Sequence, residues 1–514
     1  MSNKNKTLRL LLGDQLNLNH SWFKKVDENI LYVMMEVRQE TDYVMHHIQK
    51  VLAFFAAMRE FARQLRENGH QVHYIKLDDP ANTQSIPANL QNLIQEKNIA
   101  RFEYQLPDEY RLDQQMRQFC QSLSIPSKAF DTEHFLTSRT DVADFFAGKK
   151  QYLLESFYRM MRKRLGILLE NGKPIGGVWN YDKENRQGYD GKVPVPEPIL
   201  FQNDVSDLKQ LLVKQQVKTF GLIEDNKLIC PINRQQALEV LDFFIEKCLP
   251  YFGRYEDAMT KQHWAMFHAR LSFALNTKML HPMETVEAAL HAWQQNKSRI
   301  TLPQIEAFVR QMIGWREYMR GVYWAQMPDY EKMNFFEHDR KLPHYYWDGE
   351  TNMQCLRYCI GQSLQYAFAH HIQRLMITGN FALLAGVHPD EVDAWYMGIY
   401  IDAIQWVEIT NTRGMSQFAD GGIIATKPYI SSAKYIQKMS DYCTGCHYDP
   451  NKKYGDSACP LNSLYWAFYN RHRDRLAKNP RIGMMLRVLD RFSDEERSNI
   501  LKQGKWYLER IEDL

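Results

Sequence analysis

Four cysteines carry the first chemistry legible in the sequence. Cys443-Thr-Gly-Cys446 places two thiols close together, Cys459-Pro460 follows soon after, and Cys355 stands far upstream. A CxxC lets two thiolates grip one metal. Structural zinc sites usually supply two such pairs. One pair plus two single cysteines, the last followed by proline, fits a four-cysteine iron–sulfur cluster better, with zinc as the alternative. Cys120, Cys230 and Cys248 read as buried apolar thiols. Cys359, about one helical turn after Cys355, could share its face and stays ambiguous.

His370-His371 is the second feature. An imidazole can donate a proton near neutral pH, although an arbitrary pair of histidines on a helix is more often structural. Basic residues cluster at Arg159, Arg162, Lys163 and Arg164, at Lys434 and Lys438, and at Arg471, Arg473 and Arg475; Tyr429 and Tyr435 lie near the second group. Together such clusters could follow a phosphate backbone, and singly they are ordinary solvated faces.

These residues need elements to position them. Thr7–Leu12 and Ile30–Val37 are apolar runs of strand length. Between Tyr43 and Asn68 the apolar residues recur at helical spacing, and Gly69 closes the helix. Val72–Leu77 and Phe102–Leu106 read as further strands. This rotation predicts an α/β domain, a doubly wound parallel sheet, over residues 1–135. Its first strand ends at Gly13-Asp14-Gln15, with no GxGxxG, which argues against a standard dinucleotide site. A helix over Lys149–Gly166 opens a turn-rich connector at 136–230. From 231 to 514 the sequence is helical and aromatic, which predicts a large all-α domain.

A chain of 514 residues is long enough for about two or three cores. Lys+Arg of 64 against Asp+Glu of 61 leaves nucleic acid to a local patch. The N-terminus lacks the pattern of a secretory leader and no run is long enough to span a membrane, so the expected compartment is the cytoplasm, where the eight cysteines stay reduced.

The segments YAFAHHIQRLMITGNFALLAGV, MSQFADGGIIATKPYISS and MSDYCTGCHYDP resemble the bacterial iron–sulfur branch of the photolyase–cryptochrome family, and most of all its prokaryotic (6-4) photolyases. LLLGDQL, FHARLSFALNTKML, QMIGWREYMRGVYW and ACPLNSLYW extend the likeness over nearly the whole chain. The resemblance implies an antenna domain, a connector, and a helical domain holding FAD, with a 4Fe-4S cluster on Cys355, Cys443, Cys446 and Cys459; Cys359 matches no ligand position. It implies a 6,7-dimethyl-8-ribityllumazine antenna at Asp14, Gln15, Glu40 and Tyr43, with Gly13 and His47 beside them. Ser272, Asn276, Asp402, Glu408 and Asn411 match the flavin-binding positions, and Arg270 is a possible added charge. The family's Asp-Gly-Asp run is absent here, which leaves open whether Glu408 or Asn411 meets the reactive flavin nitrogen. Trp395, Tyr396 and Trp347 match the electron-transfer aromatics, with Trp406 a weaker candidate. Glu317 and Gln311 fall along the cleft.

His371 matches the proton donor, with His370 supporting it; animal (6-4) enzymes carry a second histidine where this chain has Leu375. The implied activity is light-driven reversal of (6-4) pyrimidine photoproducts in UV-damaged DNA by a monomer, the lesion being flipped into a pocket. A cryptochrome-like blue-light receptor would keep nearly the same residues. A flavin-independent, primase-like iron–sulfur DNA-binding protein would keep the cysteines but not HARLSFALN or MSQFADGG.

Overall fold

The computed structural model describes residues 6–514. Five strands form one sheet: β1 (Thr7–Leu10), β2 (Ile30–Met35), β3 (Gln71–Ile75), β4 (Arg101–Gln105) and β5 (Ser127–Phe130). They lie in the order β3-β2-β1-β4-β5 and every neighbour pair is parallel. The period-2 pleat divides each strand between two cores. Leu8, Leu10, Val33 and Met35 face a small core, while Tyr32 and Met34 face a second, continuous with the helical domain. The strands are shorter than the apolar runs because residues beyond their carboxyl ends line a cavity. The fifth strand, carrying SKAF, is mostly exposed at the sheet edge and gave no apolar signal.

The helix expected from Tyr43 starts at Ile48 and runs to Glu67. His47 caps it by accepting the Gln49 N–H at 3.1 Å. His46–His47 is drawn into a parallel pairing with Thr219–Phe220 of the connector, a tertiary contact outside any local pattern. Gly69, at φ +88°, supplies the left-handed turn that ends the helix. In the connector the helix spans Leu154–Leu165 and ends at Gly166, φ +69°. Residues 178–202 have no regular structure. After residue 230 only helices and loops follow. No helix among the described residues is long and apolar enough to cross a membrane.

Candidate functional site: a histidine-lined cleft, a cysteine cavity and a second cavity at the sheet edge

Ala367, at φ +49°, turns the chain after the helix Gln354–Tyr366. His370 and His371 open the next helix. Gln373 accepts the His370 N–H at 3.0 Å and donates to Gln362 at 2.9 Å and to the Tyr442 hydroxyl at 3.0 Å. This ties the histidines to the residue preceding Cys443. His370 is buried at 3% exposure, whereas His371 is exposed. Protein nonetheless surrounds His371 on a wider shell. Desolvation there, helped by Arg374 and Arg186, lowers its pKa to about 4. Its ring is thus at the surface, with Arg374 and Arg186 nearby. Arg186 also influences Tyr429 and Tyr435, which places the connector and these tyrosines around the same cleft. Asp182 is held by Arg310 and, at 3.3 Å, by Arg186.

Arg374 lies three residues after His371, one turn along the same face. It grips Asp402 with two hydrogen bonds of 3.1 Å each. Asn276 donates to the Asp402 carbonyl at 2.7 Å and accepts from Arg316 at 2.8 Å. The Ser272 hydroxyl supports the Asp402 carboxylate, whose pKa is lowered chiefly by Arg374 against strong desolvation. Ser272, Asn276 and Asp402 therefore come together in one hydrogen-bonded group. Arg270 is enclosed, and its pKa falls to about 10 by desolvation. It meets the Ile199 carbonyl at 2.9 Å and the Trp264 face at 4.7 Å, and no carboxylate among the described residues pairs with it. A guanidinium in that state fits an anionic group such as a diphosphate.

Glu408 is buried and accepts from Thr412 at 2.5 Å; desolvation, helped by Asp393, raises its pKa. Asn411 is directed differently from expectation: its amide donates to the Val407 carbonyl of its own helix at 2.7 Å. Glu317 is likewise engaged elsewhere, accepting from Thr137 Oγ1 at 2.6 Å and from the Leu136 and Thr137 backbone, which locks the connector.

Trp395 is fully buried. Its ring centroid lies 5.2 Å from Tyr396, 5.0 Å from Tyr346 and 5.9 Å from Tyr400. Tyr400 lies under Arg374, whose guanidinium carbon is 3.7 Å from its ring centre. A contiguous aromatic path thus runs from the Arg374–Asp402 pair to Tyr346. Trp347 is 37% exposed, and its ring packs on Phe220 at 5.1 Å. Sequence reasoning missed Tyr346 and Tyr400; their adjacency to Trp347 and their spacing from Tyr396 were the available signals. Trp406 is buried under Arg316 at 4.8 Å, away from this path.

Cys355, Cys443, Cys446 and Cys459 line one small cavity with Tyr442 and Tyr448. The neighbouring thiols add to burial in raising the pKa of Cys355. Among the described residues no three ligand side chains converge tightly enough for a single ion. Cys359 lies outside the cavity, against Tyr442.

A second cavity lies beyond the carboxyl ends of β1 and β2, where ligands bind in such sheets. Gly13, Asp14, Glu40, Tyr43, Lys50 and Glu109 are among its lining residues. Arg111 holds Glu40 with bonds of 2.9 and 2.8 Å and covers the Tyr43 ring at 4.6 Å. Lys50 donates to the Met397 and Ala403 carbonyls at 2.6 and 2.8 Å, and desolvation lowers its pKa to about 8. Two expected residues are outside. Gln15 is fully buried, accepting from Leu12 N–H and donating to the Gln105 carbonyl. His47 faces the Leu364 carbonyl at 2.7 Å, and His46 lines the cavity instead.

The basic clusters separate. Arg471 donates to the Leu384 carbonyl, while Arg473 and Arg475 form surface pairs with Asp490 and Glu337. Arg162 is buried on backbone carbonyls, while Lys434 and Lys438 are exposed. Arg159, Arg162 and Lys163 surround the Trp179 ring at 5.5, 5.1 and 5.7 Å.

The buried histidines predict acid sensitivity. Desolvation holds His268, His338 and His472 at about 3 and His47 at about 4, against an ordinary 6.5. Between those values the unfolded chain binds more protons, so stability is full above about pH 6.5 and falls as pH drops toward about 4. The urea midpoint is expected to be lower at pH 5 than at pH 7; equal midpoints would contradict this.

A family model described as deoxyribodipyrimidine photo-lyase-related protein matches residues 9–228. The (6-4) photolyase of Agrobacterium fabrum is 40% identical over 511 residues, 98% of this chain and 99% of that protein. Two solved structures share the fold. A bacterial class III photolyase from Agrobacterium tumefaciens has a TM-score of 0.53 and 14% identity, covering 84% of this chain and 82% of its own. The Synechocystis cryptochrome has a TM-score of 0.55 and 12% identity, covering 85% and 86%. Identity of this extent along nearly the whole length, on a parallel-sheet domain joined to a helical one, shows that the chain belongs to the (6-4) photolyases of the photolyase–cryptochrome family.

Proposed function

We propose that the protein is a light-driven DNA-repair lyase that returns (6-4) pyrimidine photoproducts to intact bases. One observation supports this beyond kinship: His371 opens onto a cleft one turn from the Arg374–Asp402 pair, so a proton donor and the flavin-binding wall share one helix face. The family implies FAD, and the enclosed, carboxylate-free Arg270 fits its diphosphate. Arg270 and Ser272 would hold that end, and Asn276, Arg374, Asp402 and Glu408 would hold the ring. Reduced FAD, when bound, supplies under blue light the electron that the lesion borrows and returns, leaving no net redox change.

The chain's own residues handle position and protons. Arg374 and Asp402 fix each other, so the flavin wall is set before substrate arrives. His371 gives a proton to the extruded lesion and recovers it as the transferred hydroxyl returns to its base. Arg186, Tyr429 and Tyr435 border the opening through which the lesion would enter. Trp395, Tyr396 and Trp347, now with Tyr346 and Tyr400, would carry the electrons that restore the reduced flavin. The four cysteines would hold a 4Fe-4S cluster, and Asp14, Glu40, Tyr43 and Lys50 a ribityl lumazine antenna. We read the protein as a cytoplasmic monomer.

The test uses an oligonucleotide carrying one (6-4) photoproduct, with reduced protein, in blue light and in the dark. Repair is expected only with light. Flavin-loaded protein that repairs nothing would abandon the lyase for a light sensor, and repair of cyclobutane dimers alone would change the substrate. A smaller expected effect concerns the antenna. Lys50→Ala removes an ammonium at the second cavity and should lower the repair gained from near-ultraviolet light that the antenna absorbs, with repair driven through the flavin's own absorption retained. Unchanged action spectra would sink that assignment.

A further inference from the structure

Gln362 and Gln373 face each other inside the helical domain as a reciprocal amide pair. Gln362 Nε2 donates to Gln373 Oε1 at 3.0 Å, and Gln373 Nε2 donates to Gln362 Oε1 at 2.9 Å. Groups that can bond in one way only fix the direction of both amides. The His370 N–H can only donate, so the oxygen of Gln373 faces it, at 3.0 Å. The Phe368 and Trp264 carbonyls can only accept, so the nitrogen of Gln362 faces them, at 3.2 and 3.3 Å. Gln373 Nε2 also donates to the Tyr442 hydroxyl at 3.0 Å. Gln373 is 2% exposed and Tyr442 1%, which leaves no room for water to replace these bonds. Three segments meet at the pair. Gln362 belongs to the helix Gln354–Tyr366, which carries Cys355 in its first turn. Tyr442 immediately precedes Cys443. Gln373 lies in the first turn of the helix that His370 caps and His371 opens. Ala367, at φ +49°, breaks the chain's direction between the two helices, so helical hydrogen bonds cannot set one against the other. The amide pair bridges that break.

We propose that the Gln362–Gln373 pair is a positioning unit for His371: it holds the turn that presents the imidazole, and it takes its own position from the two segments that carry the cysteines. This deepens the repair reading above and rests on it. A primary amide is needed at both positions, because each must donate and accept along one edge. A carboxylate at either would set oxygen against oxygen, and an apolar side chain at Gln373 would strip the His370 N–H and the Tyr442 hydroxyl of this partner. A reacting group displaced by about 1 Å can cost roughly 10²-fold in rate. Neither glutamine side chain bonds to Arg374, Asp402 or Asn276. Loss of the pair therefore acts on the chemical step through His371, and not on the wall assigned to the flavin.

The experiment uses flavin-loaded wild type, Gln373→Met and Gln362→Met, which keep the side-chain length without the amide, each also in a His371→Ala background. Flavin, iron and dark affinity for the lesion oligonucleotide are measured first, then photorepair per bound lesion. Either single variant is expected to keep the first three within about twofold and to repair roughly 10–100-fold less per bound lesion. The double variant should be no worse than either single one, because the pair acts as a unit. In the His371→Ala background neither variant should cost anything more, since its effect travels through that ring. Single variants equal to wild type, or an equal further loss in the His371→Ala background, would overturn the proposal. Iron and flavin lost in step with repair would do the same, marking the pair as merely structural. If the methionine variants fail to fold, Gln373→Glu, which keeps the oxygen facing His370, is judged by the same outcomes. A dark readout separates this proposal from the repair reading. With ring-labelled histidine, the His371 NMR signal, assigned by its absence from His371→Ala, should shift or broaden in Gln373→Met. Wild type that repairs nothing in light would overturn the repair reading, and an unchanged His371 signal would overturn the positioning role by itself.

Discussion

Replacing His371 with alanine is expected to cut repair per bound (6-4) lesion by roughly 10²–10⁴-fold, the range for loss of a general acid. Of the two adjacent histidines, His371 is the exposed one, while His370 is sealed. Its depressed pKa, about 4 before substrate binds, means that its proton must be acquired with the lesion. Repair should therefore decline as pH rises, since fewer bound complexes hold that proton. The side chain touches none of the Arg374–Asp402–Asn276 bonds, so flavin content should be unchanged and dark affinity for the lesion nearly so. Chromatographic counting of restored thymines at matched occupancy is the measurement. Repair within a few-fold of wild type would transfer the proton to His370 or to water. A matching loss of flavin would show that the residue is structural.

The second large effect is all-or-none. Cys355→Ala removes one of four thiols around a cavity that joins the helix Gln354–Tyr366, the loop at 443–446 and the start of the helix Pro460–Arg471. Metal binding that ties distant segments is folding free energy, about 10–16 kcal/mol for structural zinc in small peptides. The expected outcome is loss of cluster absorbance, iron content near zero and a thermal midpoint well below wild type. Cys359→Ala, one turn away and outside the cavity, should keep its iron. Four irons per chain retained in Cys355→Ala, or iron lost equally from Cys359→Ala, would refute the ligand assignment. The link from Tyr442 through Gln373 to His370 gives cluster loss a route to the cleft, so the Cys355 variant should also bind lesion DNA less tightly.

Much of this was legible in the chain itself. Alternating apolar runs announced the parallel sheet, and Gly69 and Gly166 announced where helices end, because pleat, helical turn and left-handed glycine are local properties. The sequence also picked out four cysteines that the fold brings around one cavity, and Ser272, Asn276 and Asp402, which it brings into one hydrogen-bonded group. Direction was not legible. Gln15 and His47 sit within one residue of the cavity-lining Asp14 and His46, yet they point into backbone carbonyls. Asn411 turns to its own helix, and Glu317 caps the connector. The partners of a basic run such as Arg471–Arg475, Asp490 and Glu337, arrive from elsewhere in the chain. The surroundings of Arg270, Tyr346 and Tyr400 come from segments remote in sequence that pack beside them. Residue types and short-range spacing were settled by covalent order, whereas the facing of each side chain, and the pairing of segments hundreds of residues apart, were decided by burial: which apolar surface had to leave water, and which polar group could then find a partner.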